Sequence, residues 1–238
     1  MELKTTKING IDGCKKGWFV FSLTENSFEC KIISSLEEIR NEIELSQLTL
    51  IDIPLGLEEN KSSRICDIDL KKILGKKASS VFNAPIYDLL KAKTYEEACS
   101  LSFNKTGKKI SLQAWYLIPK IRDANNFLQK SKNKELLKEF HPETGFYILN
   151  KCKQLNHSKK TENGINERLE ILSEFIDAKN MFNQICKNTL RKDLAKDDIV
   201  DAMCNAVNGK FSAELKSIPV EPEIDKNEIK KEILISEF

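Results

Sequence analysis

Two aspartates interrupt apolar segments of the sequence. Asp12 ends a run that begins at Ile8, and Asp52 lies in the run 48–54, which Pro54 stops. An ionised carboxylate in apolar surroundings is unfavourable unless a partner, a hydrogen bond or a metal ion compensates its charge. An aspartate that caps a turn at a strand end explains either residue alone equally well. The occurrence of two such residues favours a shared site.

A third acidic element lies in the segment 196–203, which has the pattern of a helix start. At 100° per residue, Asp198, Asp201 and Asn205 fall on one stripe of that helix. Adjacent carboxylates on one helical face repel each other unless a cation bridges them. Charge complementarity with the positive helix start is an alternative role for Asp197 or Asp198. It explains Asp197 well, but it explains Asp201 poorly, because Asp201 lies one turn further in.

Glu143 is a further candidate, because it follows His141-Pro142 at a predicted strand-to-helix junction. An acid in the first turn of a helix is an equally good explanation for it. Converging carboxylates suit hard divalent cations, so the acids predict Mg²⁺ or Mn²⁺. A zinc site is not predicted, because the chain has only 2 His and its 7 Cys form no CxxC pair.

Basic residues that could contact phosphate groups occur in the segments 71–77 and 151–160 and at two arginines. A solvated surface explains the lysines comparably well. Ion pairs with the neighbouring Asp67 and Asp123 explain the two arginines equally well. The candidate substrate contacts are Arg64, Lys71, Lys76, Arg122 and Lys160.

The spacing of apolar residues predicts the elements that position these side chains. The predicted strands are 8–12, 17–23, 28–32, 48–54 and 136–140, and the tail around Ile229–Ile235 is left open between an edge strand and a loose segment. The predicted helices are 34–45, a helical region 64–130 interrupted at Gly75, Pro85, Gly107 and Pro119, then 143–151, 164–189 with a break near 177, and 195–208 closed by Gly209. These elements predict an α/β fold in which helices cover a mixed sheet.

Composition sets the broad class. The chain has 238 residues, with 38 Lys plus Arg against 36 Asp plus Glu, which is typical of a globular protein and does not indicate a strongly basic nucleic-acid binder. No apolar run approaches the ~20 residues of a membrane span. The polar start 1–7 and the unpaired cysteines lead us to expect a cytoplasmic protein. The oligomeric state is left open, with a homodimer as one option, and Trp18 and Trp115 are expected in the core.

Over roughly residues 8–235 the sequence resembles the domain-of-unknown-function family 429, described as predicted nucleases with an RNase H-like fold. Eight segments carry the resemblance in the expected order: Gly10-Ile11-Asp12-Gly13-Cys14 with Gly17-Trp18, Ile51-Asp52-Ile53-Pro54-Leu55-Gly56-Leu57, Arg64-x-Cys66-Asp67, Leu74-Gly75, Ser79-Ser80-Val81-Phe82-x-Ala84-Pro85, Lys120-Ile121-Arg122-Asp123, Glu139-Phe140-His141-Pro142-Glu143 and Asp197-Asp198-x-x-Asp201-Ala202. Where the family has arginines after the third segment, this chain has Lys71 and Lys76, which lack the two-point geometry of a guanidinium.

The hairpin signal before residue 33 predicts that the first three strands are antiparallel, and the helix-length connection before residue 48 predicts that the Asp52 strand lies beside the first as a parallel neighbour. The resemblance implies that this five-stranded mixed sheet is RNase H-like. It implies one domain, 1–238, with a helical insertion at 58–130. In RNase H-like enzymes such as the RuvC resolvases, an acid on the first strand, an acid after the fourth and an Asp-x-x-Asp helix gather metal, and Asp12, Asp52, Asp198 and Asp201 match those positions. Glu143 is a feature of the family only.

Three functions remain open. The first is a two-metal nuclease that hydrolyses phosphodiester bonds of nucleic acid, with the five acids as its catalytic residues. The second is a non-catalytic module that binds nucleic acid or protein. The third is a phosphotransferase similar to actin or sugar kinases, although the chain lacks a second Asp-Gly-Gly turn and is short for two duplicated domains.

Overall fold

The computed structural model of the chain describes residues 6–25 and 27–238. Residues 1–5 of the predicted polar start and Asn26 of the predicted hairpin turn lie outside the described residues. The chain divides into two compact units. The first unit comprises Met1–Asp52, Glu135–Lys216 and Leu234–Phe238, and the second comprises Ile53–Lys134 and Ser217–Ile233. None of the helices in the described ranges is both long enough and apolar enough to cross a bilayer.

Five strands of the first unit form one sheet in the order β3-β2-β1-β4-β5. The strands are β1 (Ile8–Cys14), β2 (Gly17–Leu23), β3 (Phe28–Ile33), β4 (Leu48–Ile51) and β5 (Lys138–Glu139). The β1–β2 and β2–β3 pairs are antiparallel, whereas β4 is parallel to both β1 and β5. The predicted five-stranded mixed sheet, its antiparallel first three strands and the position of the Asp52 strand beside the first are therefore confirmed.

The described residues contain eight α-helices, of which α2, α3 and α4 belong to the second unit. They are α1 (Arg40–Leu45), α2 (Ile65–Leu74), α3 (Tyr95–Thr106), α4 (Leu112–Lys130), α5 (Pro142–Leu149), α6 (Glu162–Leu172), α7 (Ala178–Asn188) and α8 (Lys196–Phe211). Shorter 3₁₀ helices occupy Leu36–Ile39, Gly75–Ser80, Tyr87–Lys91 and Lys134–Leu136. Near the end of the chain, β6 (Glu214–Ile218) and β7 (Ile233–Glu237) form a two-stranded sheet, so part of the tail is a strand.

Two residues that the sequence predicts as helix boundaries, Pro119 and Gly209, lie inside helices. Pro119 does not interrupt α4, although a proline inside a helix removes a backbone hydrogen bond at a cost of about 3 kcal/mol. The fully buried Ile118, Ile121 and Ala124 follow one apolar face across the proline, and their burial offsets this cost. Gly209 does not close α8, which continues to Phe211.

Gly10 and Gly209 allow α8 to lie directly on the sheet. A Cβ atom on Gly10 would come within 2.0 Å of the carbonyl oxygen of Ala202, and one on Gly209 would come within 2.9 Å of Ile8 Cγ2. Both glycines therefore serve close helix–strand packing, which explains why Gly209 does not end the helix. This packing brings the acidic part of α8 to β1.

We expect Gly10→Ala to lower the free energy of unfolding by about 1–3 kcal/mol, because the new methyl group forces α8 away from β1. Urea denaturation measures the change. Gly107→Asn is the matched control, since Gly107 has φ of 72° and open space around its Cα, and asparagine tolerates this conformation. Equal stability of the Gly10→Ala variant and the wild type would contradict the close contact.

Candidate acid cluster in the first unit

Asp12 and Asp52 lie side by side at the same end of the sheet. The parallel register pairs Ile11 with Ile51, and the Asp52 backbone N–H donates to the Ile11 carbonyl oxygen at 3.1 Å. The next residue along β1 is Asp12, whose side chain is buried and accepts from the Gly13 N–H at 2.7 Å. The parallel pairing of two adjacent strands therefore places both carboxylates together.

Helix α8 adds Asp201 to this pair. Asp201 is 1% exposed, and Asn205, one turn later, donates from Nδ2 to the Ile11 carbonyl oxygen at 3.2 Å. This contact fixes the acidic stripe of α8 against the end of β1. The Oδ1 atom of Asn205 is buried without a hydrogen-bond partner, so the stripe offers an oxygen ligand whose bonding capacity is unused.

Lys159, in the loop before α6, supplies the positive charge of the cluster. Its Nζ donates to Asp201 Oδ2 at 2.5 Å. Burial lowers the pKa of the Lys159 ammonium, but attraction by Asp201, Asp12 and Asp52 outweighs it and raises the pKa above its ordinary value. Lys159 is therefore a charged counter-ion shared by three carboxylates from β1, the end of β4 and α8.

One ammonium does not neutralise this cluster. Burial, followed by repulsion from Asp201 and Asp52, raises the pKa of Asp12 well above its usual value. Burial raises the pKa of Asp201 to about 6 against the attraction of Lys159. Burial likewise raises the pKa of Asp52, against the attraction of His141 and Lys159. The three acids are thus held in a site where their full ionisation needs additional positive charge.

The acids at the start of α8 have local partners. Asp198 accepts from the Ala195 backbone N–H at 3.2 Å, so it caps the helix from its third position. Burial and the neighbouring Asp197 raise the pKa of Asp198, and the charge of Asp198 also acts on Asp12. Asp197 pairs with Lys160. Asp198 therefore serves the start of the helix, as the alternative from the sequence states, and it also contributes charge to the acid cluster.

Glu143, at the start of α5, is held by an arginine. Arg168 of α6 is fully buried and pairs with Glu143 through Nη2, while its guanidinium carbon lies 5.2 Å from the ring centre of Phe146. Glu143 raises the pKa of Asp52 by repulsion, which places it next to the cluster. The structure thus brings all five predicted acids into one region of the first unit.

Among the predicted substrate contacts, Lys160 belongs to the first unit and the other four belong to the second. Arg64 is 1% exposed and donates to both carboxylate oxygens of Asp67 and to the Leu55 carbonyl oxygen, so it has the internal ion pair considered as an alternative. Arg122 donates from Nε to the Leu90 carbonyl oxygen at 2.6 Å. The remaining two lysines differ in their surroundings: Lys71 contacts Asn83 and Lys76 is exposed.

Sequence reasoning missed four residues of the site: Lys159, Arg168, His141 and Asn205. The sequence groups Lys159 with Lys160 as a possible phosphate contact of the segment 151–160, and Arg168 lies in a helical pattern with no sign of burial. In the sequence, His141 is recognisable only as a neighbour of Glu143, and Asn205 only as a member of the Asp198/Asp201 stripe. Their positions depend on contacts between distant parts of the chain, which residue spacing does not reveal.

The donor set of the cluster suits a divalent cation, because it consists of carboxylates with an unused amide oxygen nearby. In the arrangement with Lys159 on Asp201, no group of three or more His, Cys, Asp or Glu side chains in residues 6–25 and 27–238 has the spacing of a metal site. Lys159 occupies Asp201 Oδ2, so cation binding at this oxygen requires the lysine to move.

The family described as "Protein of unknown function (DUF429)" matches residues 10–224. The match begins just before Asp12 and includes all five acids and Lys159. No curated protein and no solved structure matches the chain.

Proposed function

The chain belongs to the DUF429 family, and we propose that its acid cluster is the centre of a divalent-metal-dependent nuclease. The observation that carries the proposal is the convergence of Asp12, Asp52 and Asp201, from three separate elements, on the single ammonium of Lys159. A structural ion pair needs one acid. Two buried acids and the half-buried Asp52 around one lysine indicate a site built for more positive charge than this lysine provides.

We further propose that the fold is RNase H-like. The sheet order β3-β2-β1-β4-β5 supports this assignment, as does the parallel pairing that places Asp52 beside Asp12. The packing of α8 on β1, with Asp201 at the acidic end, supports it further.

When bound, Mg²⁺ or Mn²⁺ would supply Lewis-acid activation of water and would stabilise the charge on the leaving oxygen. Asp12, Asp52 and Asp201 would hold the ions, with Asp198 beside them. Arg168 holds Glu143 next to Asp52 and sets the direction of its carboxylate. The surrounding apolar side chains strengthen each electrostatic interaction by excluding water.

Lys159 would act as the counter-ion of the metal-free protein. Its ammonium balances part of the cluster charge, and it lies on a loop at the surface of the first unit with 33% of its side chain exposed. With Asp201 holding a metal ion, the Lys159 ammonium would face solvent. There it could neutralise a phosphate of the nucleic acid.

We expect Lys159→Met to bind Mn²⁺ at least about tenfold more tightly than the wild type, because the competing ammonium is gone. The matched control is Lys160→Met, which removes an exposed lysine paired with Asp197 and should change the affinity by about twofold or less. Calorimetric titration at neutral pH measures both dissociation constants. The metal-induced rise in melting temperature should follow the same order.

Equal Mn²⁺ affinity of the Lys159→Met variant and the wild type would show that the ammonium does not occupy the cation position. Absence of Mn²⁺ binding by the wild type and both variants would favour the second candidate, a binding module without catalytic activity. The ion pairs that already engage Asp201, Asp197 and Glu143 are the observation that favours it.

A further inference from the structure

The second unit contains a groove of about 690 Å³, a volume within the range of small-ligand sites. One wall is the segment 90–93 and the other is the first half of α4. The groove is lined by Leu90, Lys91, Ala92, Lys93, Trp115, Tyr116, Ile118, Pro119 and Arg122. None of these residues belongs to the acid cluster, so the groove is a separate feature.

Aromatic rings are available in this groove. Tyr116 is 69% exposed, so its ring is accessible to a ligand, and a tyrosine ring offers a flat face for stacking. Trp115, beside it, is half-buried and packs its ring 6.1 Å from that of Tyr95 in a tilted arrangement. The expectation that both tryptophans lie in the core is therefore confirmed for Trp18, which is 1% exposed, and not for Trp115.

The charged residues of the groove are all basic. Lys91 and Lys93 are exposed, and Arg122 is positioned by its hydrogen bond from Nε to the Leu90 carbonyl oxygen. No acidic residue is among the described residues that line the groove. Its charge therefore complements an anion, and its rings complement a flat, polarisable group.

We propose that this groove binds single-stranded nucleic acid, with a base stacked on Tyr116 and Trp115 and phosphates near Lys91 and Lys93. The proposal rests on the proposed function in one respect, namely that a nuclease must also hold the strand that it cleaves. Stacking and phosphate contact together explain the composition of the groove, whereas an acidic peptide would need the lysines but not the exposed ring.

The test is fluorescence anisotropy with labelled 12-mers of deoxythymidylate and of uridylate, without divalent cations. The protein is the full chain carrying Asp12→Asn, so that cleavage cannot deplete the probe. We expect Tyr116→Ala to weaken binding of at least one oligomer about tenfold, since loss of one base stack has an effect of this size. Tyr116→Phe retains the ring and should bind as the parent does.

The charge contribution has its own matched control. The double variant Lys91→Gln/Lys93→Gln should weaken binding and reduce its salt dependence, because two phosphate contacts are lost. The double variant Lys130→Gln/Lys132→Gln removes the same charge from exposed positions at the end of α4 and beyond it, and should have little effect. Comparison of the two oligomers distinguishes DNA from RNA as the source of the strand.

Equal affinity of the Tyr116→Ala and Tyr116→Phe variants for both oligomers would overturn the proposal. So would tighter binding of polyglutamate than of either oligomer, which would indicate an acidic protein partner. These outcomes are independent of the acid cluster. Binding that depends on the Tyr116 ring, without metal-dependent cleavage by the wild type, would contradict the nuclease and leave the groove assignment intact. Metal-dependent cleavage without binding that depends on this ring would contradict the groove assignment and leave the nuclease intact.

Discussion

Asp12→Asn is expected to lower metal-dependent phosphodiester cleavage on the order of 10³-fold, equivalent to several kcal/mol of transition-state stabilisation. Asparagine has nearly the same shape and can still accept from the Gly13 N–H. It removes the charge at the centre of the cluster, where Asp12 interacts with Asp201, Asp52 and Lys159. The assay compares cleavage of single-stranded, duplex and branched nucleic acids by the wild type and the variant in Mn²⁺.

The control for this variant is Asp193→Asn, a buried carboxylate of the first unit that pairs with Lys16 instead of the cluster. It should retain the wild-type activity. Equal cleavage by the wild type and Asp12→Asn would assign the activity to another site or to a contaminant. Normal metal binding with no cleavage by the wild type would favour the binding module.

Asp12→Asn should leave the metal-free fold intact and should stabilise it by about 1 kcal/mol at neutral pH. The pKa of Asp12 is higher in the folded protein than in the unfolded chain, first because of burial and then because of repulsion. Its ionised form therefore costs folding free energy above the unfolded pKa of about 4, and asparagine avoids this cost. The difference should vanish near pH 3, where aspartate is protonated in both states, and urea denaturation at the two pH values measures it.

Arg64→Met is expected to lower the free energy of unfolding by about 3–5 kcal/mol, because it leaves Asp67 buried without its partner. The double variant Arg64→Met/Asp67→Leu should recover most of the loss, since it replaces both charges with apolar groups. Denaturant titration of the wild type, the two single variants Arg64→Met and Asp67→Leu, and the double variant gives the coupling energy. If Arg64 contacts the substrate instead, Arg64→Met should leave the free energy of unfolding unchanged and should raise KM for nucleic acid.

The sequence was sufficient to predict the part of the site that depends on local pattern. The apolar runs that end at Asp12 and Asp52, and the helix-length connection between them, specify parallel neighbours with both acids at one end. The position of Asp201 followed from helical spacing. These features depend on strand alternation and helical period, which are properties of short segments.

The remaining part depends on tertiary contacts. Lys159 reaches an acid 42 residues later in the chain, and no pattern around it distinguishes a buried counter-ion from a solvated lysine. Gly209 and Pro119 have the residue types that end helices, yet packing overrides both preferences. The burial of Arg64 against Asp67 was only one of two explanations that the sequence left open.

The most direct test of the nuclease proposal is the anomalous scattering of Mn²⁺ in crystals soaked in millimolar manganese. We predict a strong anomalous peak bound by Asp12, Asp52 and Asp201, with the Lys159 side chain displaced from Asp201. A cluster without anomalous density, with Lys159 still donating to Asp201 Oδ2, would contradict a metal-dependent centre.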